Sequence, residues 1–325
     1  MKRQGLGVQG SPSPRNRSLY LSPEDRERLA PELEAARSLG ASGSRIVMAE
    51  SADALILGDA LAVLPLLPSA SVDLLVADPP YNMDKDFGTA RGRLMSEDEY
   101  EGYTRKWIGA ALPLLKPESS VYVCCDWRCS STVQRVLSRS LILRNRITWE
   151  REKGRASSRN WKNAHEDIWF ATVSDSYRFD ADAVRQRRRV RAPYHDDEGR
   201  PKDWADGPEG RFRDTAASNL WTDLSVPFWS MPENTDHPTQ KPEKLAAKLI
   251  LSSSRPGDLV LDPFLGSGTS AVVAKKLGRR FIGIEIDEEH CLAALRRLEL
   301  ASVDPRIQGY EDGLFWERNS GPRKA

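Results

Sequence analysis

Cysteine and histidine are scarce, with four of each in 325 residues. Cys124, Cys125 and Cys129 crowd into CCDWRC with no second pair and no histidine cluster nearby, which argues against a zinc site and for reduced thiols. Long apolar runs are also lacking. None approaches the ~20 residues a membrane helix requires, and the basic start MKRQGLGVQGSPSPRNR has no apolar stretch behind it. Neither sign of charge is in excess, with 48 Lys and Arg against 47 Asp and Glu. The expectation is a soluble, cytoplasmic, metal-free protein in which any surface for a polyanion arises from local segregation of charge. The length allows one large α/β domain or two small ones, with a core that needs no staples.

The first residues are rich in Ser, Pro, Gly and Arg without apolar period and read as a mobile arm. SPEDRERLAPELEAARSLG then predicts a helix with Ser22 as N-cap, Pro23 at its first position and Asp25 one turn along. Leu29, Leu33 and Ala36 follow at helical spacing, Gly40 ends it, and Pro31 should bend or split it. From Asp53 the texture changes to short β-rich runs separated by helical stretches, the pattern of a parallel sheet covered on both faces. Strands are predicted at 54–58, 72–77, 120–125, 147–149, 167–173, 258–262 and 280–285. The interval 175–235 has Pro, Gly, Arg and Trp in place of periodic aliphatics and reads as an insertion on the rim of the sheet.

Two strand ends carry chemistry. In LLVADPPYN an aliphatic strand runs into Asp78, Pro79, Pro80 and Tyr81. The prolines fix φ and remove donors, so the turn presents a carboxylate and carbonyls, all acceptors, beside a flat ring. That combination suits an exocyclic amino group on a stacked base, although a bare DPP more often merely ends a strand. In PGDLVLDPFLGSGTSAVVAKKLGRRFIGIEID, Gly266 and Gly268 allow close backbone approach to a ligand at a helix N-terminus. Glu285 ends the next strand 23 residues after Asp262, where a carboxylate accepts ribose hydroxyls. The ligand reads as a nucleoside. A nicotinamide cofactor is the rival, but Ala271 at the third glycine position of G-x-G-x-x-G is at best a substitute.

Together these stretches resemble the amino-group DNA methyltransferases that use S-adenosylmethionine. DPPY (78–81) looks like their catalytic motif and DPFLGSGT (262–269) like their cofactor loop; HPTQKP (237–242) resembles the segment preceding that loop, and NAHEDIWFAT (163–172) the strand closing the catalytic half. Catalytic motif first and cofactor loop last is the circularly permuted order of the β group, over about residues 50–300.

The resemblance implies an α/β, doubly wound, mostly parallel seven-stranded sheet of the Rossmann-like methyltransferase type, with an inserted target-recognition region. Five segments follow: an arm and helix (1–44), a catalytic half (45–174), the recognition insertion (175–235), a cofactor-binding half (236–302) and a tail (303–325). The implied activity is transfer of a methyl group to adenine N6 of a flipped-out base in double-stranded DNA. The chain would be the modification partner of a restriction endonuclease sharing its recognition sequence, and a homodimer. Asp78 and the Pro79 carbonyl would accept the amine hydrogens, Pro80 would stiffen the turn, Tyr81 would stack on the base, and Phe87 would cover it unless it is only packing.

On the cofactor side the implied set is Asp59 near the adenine amine, Asp78, and His237, Thr239 and Lys241 near the methionine carboxylate, with Asp262, Pro263, Phe264, Gly266, Ser267, Gly268, Thr269 and Glu285. His237 taken alone reads as a structural histidine, whereas Lys241 inside this hexapeptide reads as a contact. DNA contact is assigned to Arg155, Arg159 and Lys162, beside Trp161, which serves equally as core, and to Arg185, Arg187, Arg188, Arg189 and Arg191 of RQRRRVR. A solvated charged loop is the plainer reading of that run. Cytosine-N4 methylation, an RNA substrate and a catalytically silent DNA-binding module remain alternatives.

Overall fold

The computed structural model describes residues 18–317, apart from 35–36, 40–42, 51–52, 83–84, 88–89, 93, 152–157, 191–193, 208–209 and 229. The expected N-terminal arm, Ala36, Gly40, Arg155, Arg191 and the end of the tail lie outside this set, as does the Phe87 side chain.

Ten strands form the main sheet, in the order Arg37–Leu39, Ser44–Glu50, Asp53–Leu57, Arg280–Glu285, Leu259–Asp262, Val72–Ala77, Leu115–Cys125, His165–Thr172, Ile142–Glu150 and Leu220–Trp221. The middle seven are those read from the sequence. The expected total of seven is corrected by three strands at the edges, of which Arg37–Leu39 and Leu220–Trp221 are too short to leave a period-2 signal. The sheet is mixed. Asp53–Leu57 through Leu115–Cys125 run parallel, and antiparallel pairs flank them on both sides.

Successive residues of the central strands face two different cores in turn. Leu55, Leu74, Val76 and Tyr122 face one core with the helices Glu243–Ser253, Thr269–Lys276 and Glu288–Val303. Ile56, Leu75, Ala77 and Val121 face another with Glu97–Ala111 and Ser130–Leu137. A sheet buried on both faces accounts for the near-continuous apolar runs. Helices after Leu259–Asp262 and Val72–Ala77 thus leave on opposite faces while the strands themselves are neighbours, pairing Val260 with Leu74 and Leu261 with Leu75. That divergence opens a crevice at their carboxyl ends.

The N-terminal helix is shorter than expected, Pro23–Glu34. Ser22 and Asp25 cap it reciprocally: the Asp25 N–H donates to Ser22 Oγ at 3.0 Å and the Ser22 N–H to Asp25 Oδ2 at 3.3 Å. It continues only one turn from Pro31, which lacks an N–H for the helical ladder.

A second sheet has five strands, Ala205–Gly207, Gly210–Thr215, Gln186–Arg189, Leu314–Trp316 and Tyr310–Glu311. Residues from 303–325 therefore pair with residues from 175–235 in one unit. Lys248, on Glu243–Ser253, ties that unit to the main domain. Its ammonium lies 2.7 Å from Asp223 Oδ1, over the rings of Trp221 and Phe315 at 4.8 and 5.5 Å.

Candidate active site

Three of the central strands lead into carboxylates at one edge of the sheet: Asp78 just past Val72–Ala77, Asp262 ending Leu259–Asp262, and Glu285 ending Arg280–Glu285. They border a cavity of about 450 Å³. Of the catalytic and cofactor candidates, all except Gly268 line it. Gly268 sits behind the loop at φ +89°, where a Cβ would fall 2.8 Å from Ala294 Cβ on the helix Glu288–Val303. At Gly266, φ +56°, an added Cβ would fall 3.0 Å from His237 Nε2. Both glycines are dictated by backbone conformation and by close packing.

The Asp78–Tyr81 turn carries a buried charge network. Tyr81 Oη lies 2.9 Å from Asp78 Oδ1 and 3.1 Å from Glu166 Oε2, so its single proton serves one acceptor at a time. Lys241 donates to Asp78 Oδ2 at 2.5 Å, stands 3.4 Å from Glu166 Oε2 and lies 5.2 Å from the Tyr81 ring centroid. Arg151 donates to the far oxygen of Glu166. Burial raises the Asp78 carboxyl, and Lys241 only partly offsets it. Burial also opposes charge on Glu166, but Lys241 and Arg151 together hold it below the usual range. Lys241, desolvated but facing Asp78 and Glu166, is held above an ordinary lysine. The resemblance implies that Lys241 meets the methionine end of the cofactor; here its ammonium is on the Asp78 carboxylate.

The loop from Asp262 to Thr269 is pinned from within. Asp262 Oδ1 accepts the Phe264 N–H at 2.9 Å, and Oδ2 accepts the Ser270 hydroxyl; burial raises this carboxyl to about 7. Glu285 Oε2 accepts the Gly266 N–H at 2.7 Å, and Oε1 accepts those of Ile286 and Asp287 at 3.0 and 2.9 Å. A carboxylate has about four acceptor positions, which leaves Glu285 one, on Oε2, for a ribose hydroxyl. Behind the loop, buried Arg297 donates to the Ser267 carbonyl and to Thr269 Oγ1, both at 2.9 Å, and to Glu243 Oε1 at 2.9 Å. Asp59 caps the short helix Ala60–Val63 through the Leu61 N–H at 2.8 Å. His237 packs edge-on to His290 at 4.4 Å, and its Nδ1 accepts the Thr239 N–H at 3.4 Å. Phe264 packs edge-on to Trp107 at 5.3 Å.

Four arginines of RQRRRVR, Arg185, Arg187, Arg188 and Arg189, have partners in or beside the small sheet. Arg187 makes two 2.7 Å bonds to Asp214 and lies 5.4 Å from the Trp316 ring. Arg185 pairs with Asp182 at 3.1 Å, Arg188 donates to Gln186 at 3.0 Å, and Arg189 lies 5.8 Å from the Phe212 ring. Arg159, Trp161 and Lys162 are exposed in the turn before His165–Thr172; Trp161, at 93% exposure, is not core.

Sequence reading missed Glu166, Tyr100 and Tyr103. Glu166 sits inside NAHED, which reads as a strand start. Tyr100 and Tyr103 reach the cavity from the helix Glu97–Ala111, where they look like ordinary amphipathic positions. Their one sequence signal is the strong helix start, Ser96 with Glu99, whose capping box is formed.

Comparison with known proteins agrees with this arrangement. The N6/N4 DNA methylase family model matches residues 72–296. Type II methyltransferase M.HpaI of Haemophilus parainfluenzae is 31% identical over 262 residues, covering 78% of each chain. DNA adenine methyltransferase YhdJ of Escherichia coli K12 is 34% identical over 259 residues, 77% of this chain and 84% of its own. Among solved structures, the cytosine-N4-specific PvuII DNA methyltransferase aligns with a TM-score of 0.55 at 20% identity, over 78% of this chain and 91% of its own. The chain belongs to the N6/N4 DNA methylase family, and is a DNA methyltransferase.

Proposed function

We propose that this chain is a site-specific methyltransferase acting on adenine N6 in double-stranded DNA with S-adenosylmethionine as donor. The observation that carries the reading is the meeting of Asp78 and the Gly266 loop at one cavity, on adjacent strands. Aspartate at the head of DPPY favours adenine over cytosine, and the relative YhdJ is named an adenine methyltransferase.

The cavity residues suit a nucleoside with a charged tail: a close-approach glycine at Gly266, an open acceptor position on Glu285, and exposed edges of Tyr103 and Phe264. Asp59, Gly266 and Glu285 would hold the cofactor, which supplies an electrophilic sulfonium methyl. The chain's own task is to make a poor nucleophile react. The lone pair of an aromatic amine is delocalised into its ring. Asp78 accepts an amine hydrogen, draws the nitrogen toward tetrahedral geometry and stabilises the positive charge that develops on it. The Pro79 carbonyl accepts the second hydrogen. Tyr81, held by Asp78 and Glu166, offers the base a fixed ring, which offsets part of the cost of unstacking it, a few kcal/mol.

Two relatives are named type II methyltransferases, M.HpaI and M1.MboII of Moraxella bovis, which supports a role as the modification partner of a restriction endonuclease. The segment 175–235, with its sheet, would read the target sequence as a separate recognition unit, and Arg159 and Lys162 would meet phosphates. A homodimer in the cytoplasm completes the reading; no helix among the described residues is long and apolar enough to cross a membrane.

Asp78→Ala tests the assignment. Methyl transfer is expected to fall below detection while S-adenosylmethionine affinity changes less than about threefold. A variant with wild-type turnover would remove Asp78 from catalysis.

A further inference from the structure

The CCDWRC segment has a role that its cysteines do not explain. The strands Val72–Ala77 and Leu115–Cys125 are parallel neighbours, with Ala77 opposite Val123. Four residues past Ala77 stands Tyr81, and four past Val123 stands Trp127, so both chains leave the sheet at the same edge. Cys129 joins the two loops directly: its Sγ accepts the N–H of Asn82, the residue after Tyr81, at 3.4 Å.

The turn between is rigid. Asp126 Oδ1 accepts the N–H groups of Arg128 and Cys129 at 3.1 and 3.0 Å, and the Asp126 carbonyl accepts that of Ser130 at 3.0 Å, starting the helix Ser130–Leu137. Trp169 Nε1 braces the helix start through the Ser130 carbonyl at 3.0 Å. At the apex of this braced turn Trp127 is 52% exposed, with the Arg128 guanidinium 5.5 Å from its ring centroid.

An indole on a fixed turn beside a catalytic loop is unusual, because a large aromatic gains little from exposure to water. A stacked base pair would give it a partner, and the neighbouring guanidinium gives it affinity for phosphate. Extruding a base leaves a gap in the stack that an inserted apolar side chain fills. We propose that Trp127, with Arg128 against it, is the wedge that enters the DNA duplex and holds the target base out of the stack. The inference rests on the DNA methyltransferase reading and adds a residue to it. Trp161 is more exposed, but Trp127 is two residues from Cys129, whose Sγ accepts the Asn82 N–H of the loop that carries Tyr81.

The test uses the full chain, S-adenosylmethionine and an unmethylated duplex carrying the motif that the chain modifies, in two forms: fully paired, and with an abasic site opposite the target base. Trp127→Ala is expected to slow single-turnover transfer on the paired duplex by about tenfold or more, with cofactor affinity unchanged. On the abasic duplex, where no base pair has to be broken and extrusion costs less, it should run within about threefold of the wild type. Trp127→Phe, which keeps an aromatic face, should retain most of the paired-duplex rate. Equal deficits on both duplexes, or no deficit on either, would overturn the wedge. A wild-type chain inactive on both would instead overturn the methyltransferase reading.

Discussion

The ammonium of Lys241 lies 2.5 Å from Asp78 Oδ2, on the carboxylate proposed to receive the target amine, with Glu166 Oε2 3.4 Å away as a second acceptor. Lysine and substrate amine are both donors, so they compete for Asp78, and Glu166 gives Lys241 a place to move without becoming an unpaired buried cation. Lys241 also helps to keep Asp78 ionised against burial.

A pH consequence follows. Asp78 is already raised by burial, and removing Lys241 raises it further. Transfer needs the carboxylate, so Lys241→Met should lose rate at low pH and recover it as pH rises through the higher pKa. A pH–rate profile of single-turnover transfer, compared between variant and wild type, reads this directly. Superimposable profiles for variant and wild type would show that Lys241 does not set the charge on Asp78.

Gly268→Ala probes the packing of the cofactor loop. The residue is at φ +89°, and the added Cβ would fall 2.8 Å from Ala294 Cβ. Backbone strain and overpacking together should cost on the order of 2 kcal/mol, seen as a lower urea midpoint at unchanged m-value. A midpoint equal to the wild type would mean the loop shifts at no cost.

Asp262 links loop stability to pH. Its carboxyl rises from 3.8 to about 7 in the fold because it is buried. A raised acid is favourable when protonated, so its contribution is fully present below about pH 4 and is lost as pH rises through about 7. Asp262→Asn keeps a carbonyl for the Phe264 N–H and should remove that part of the fall. Melting temperature plotted against pH should therefore be flatter for the variant across this window; parallel curves would contradict the linkage.

The two strand-end motifs were legible because a parallel strand buried on both faces reads as an apolar run, and the polar residue that stops it marks the edge where ligands bind. Asp78, Asp262 and Glu285 all came out that way. Glu166 did not, because a buried carboxylate inside a strand is defined by its partners, and those lie at Tyr81, Arg151 and Lys241, far apart in sequence. The small sheet escaped for the same reason: Gln186 pairs with Phe315, and nothing local announces a partner more than a hundred residues away. As a sequence RQRRRVR reads as charge facing DNA, yet Arg187 makes both bonds of its fork to Asp214. A run of arginines does not show whether its counterions lie inside the fold or outside it.

The most direct measurement is to express the chain in a bacterial host free of DNA methylation and sequence the genomic DNA by a method that distinguishes N6-methyladenine, N4-methylcytosine and unmodified bases. The expected result is N6-methyladenine at nearly every occurrence of a single motif. N4-methylcytosine at one motif would keep the family and overturn the target base. Folded protein that binds S-adenosylmethionine and leaves every base unmodified would contradict the proposed activity.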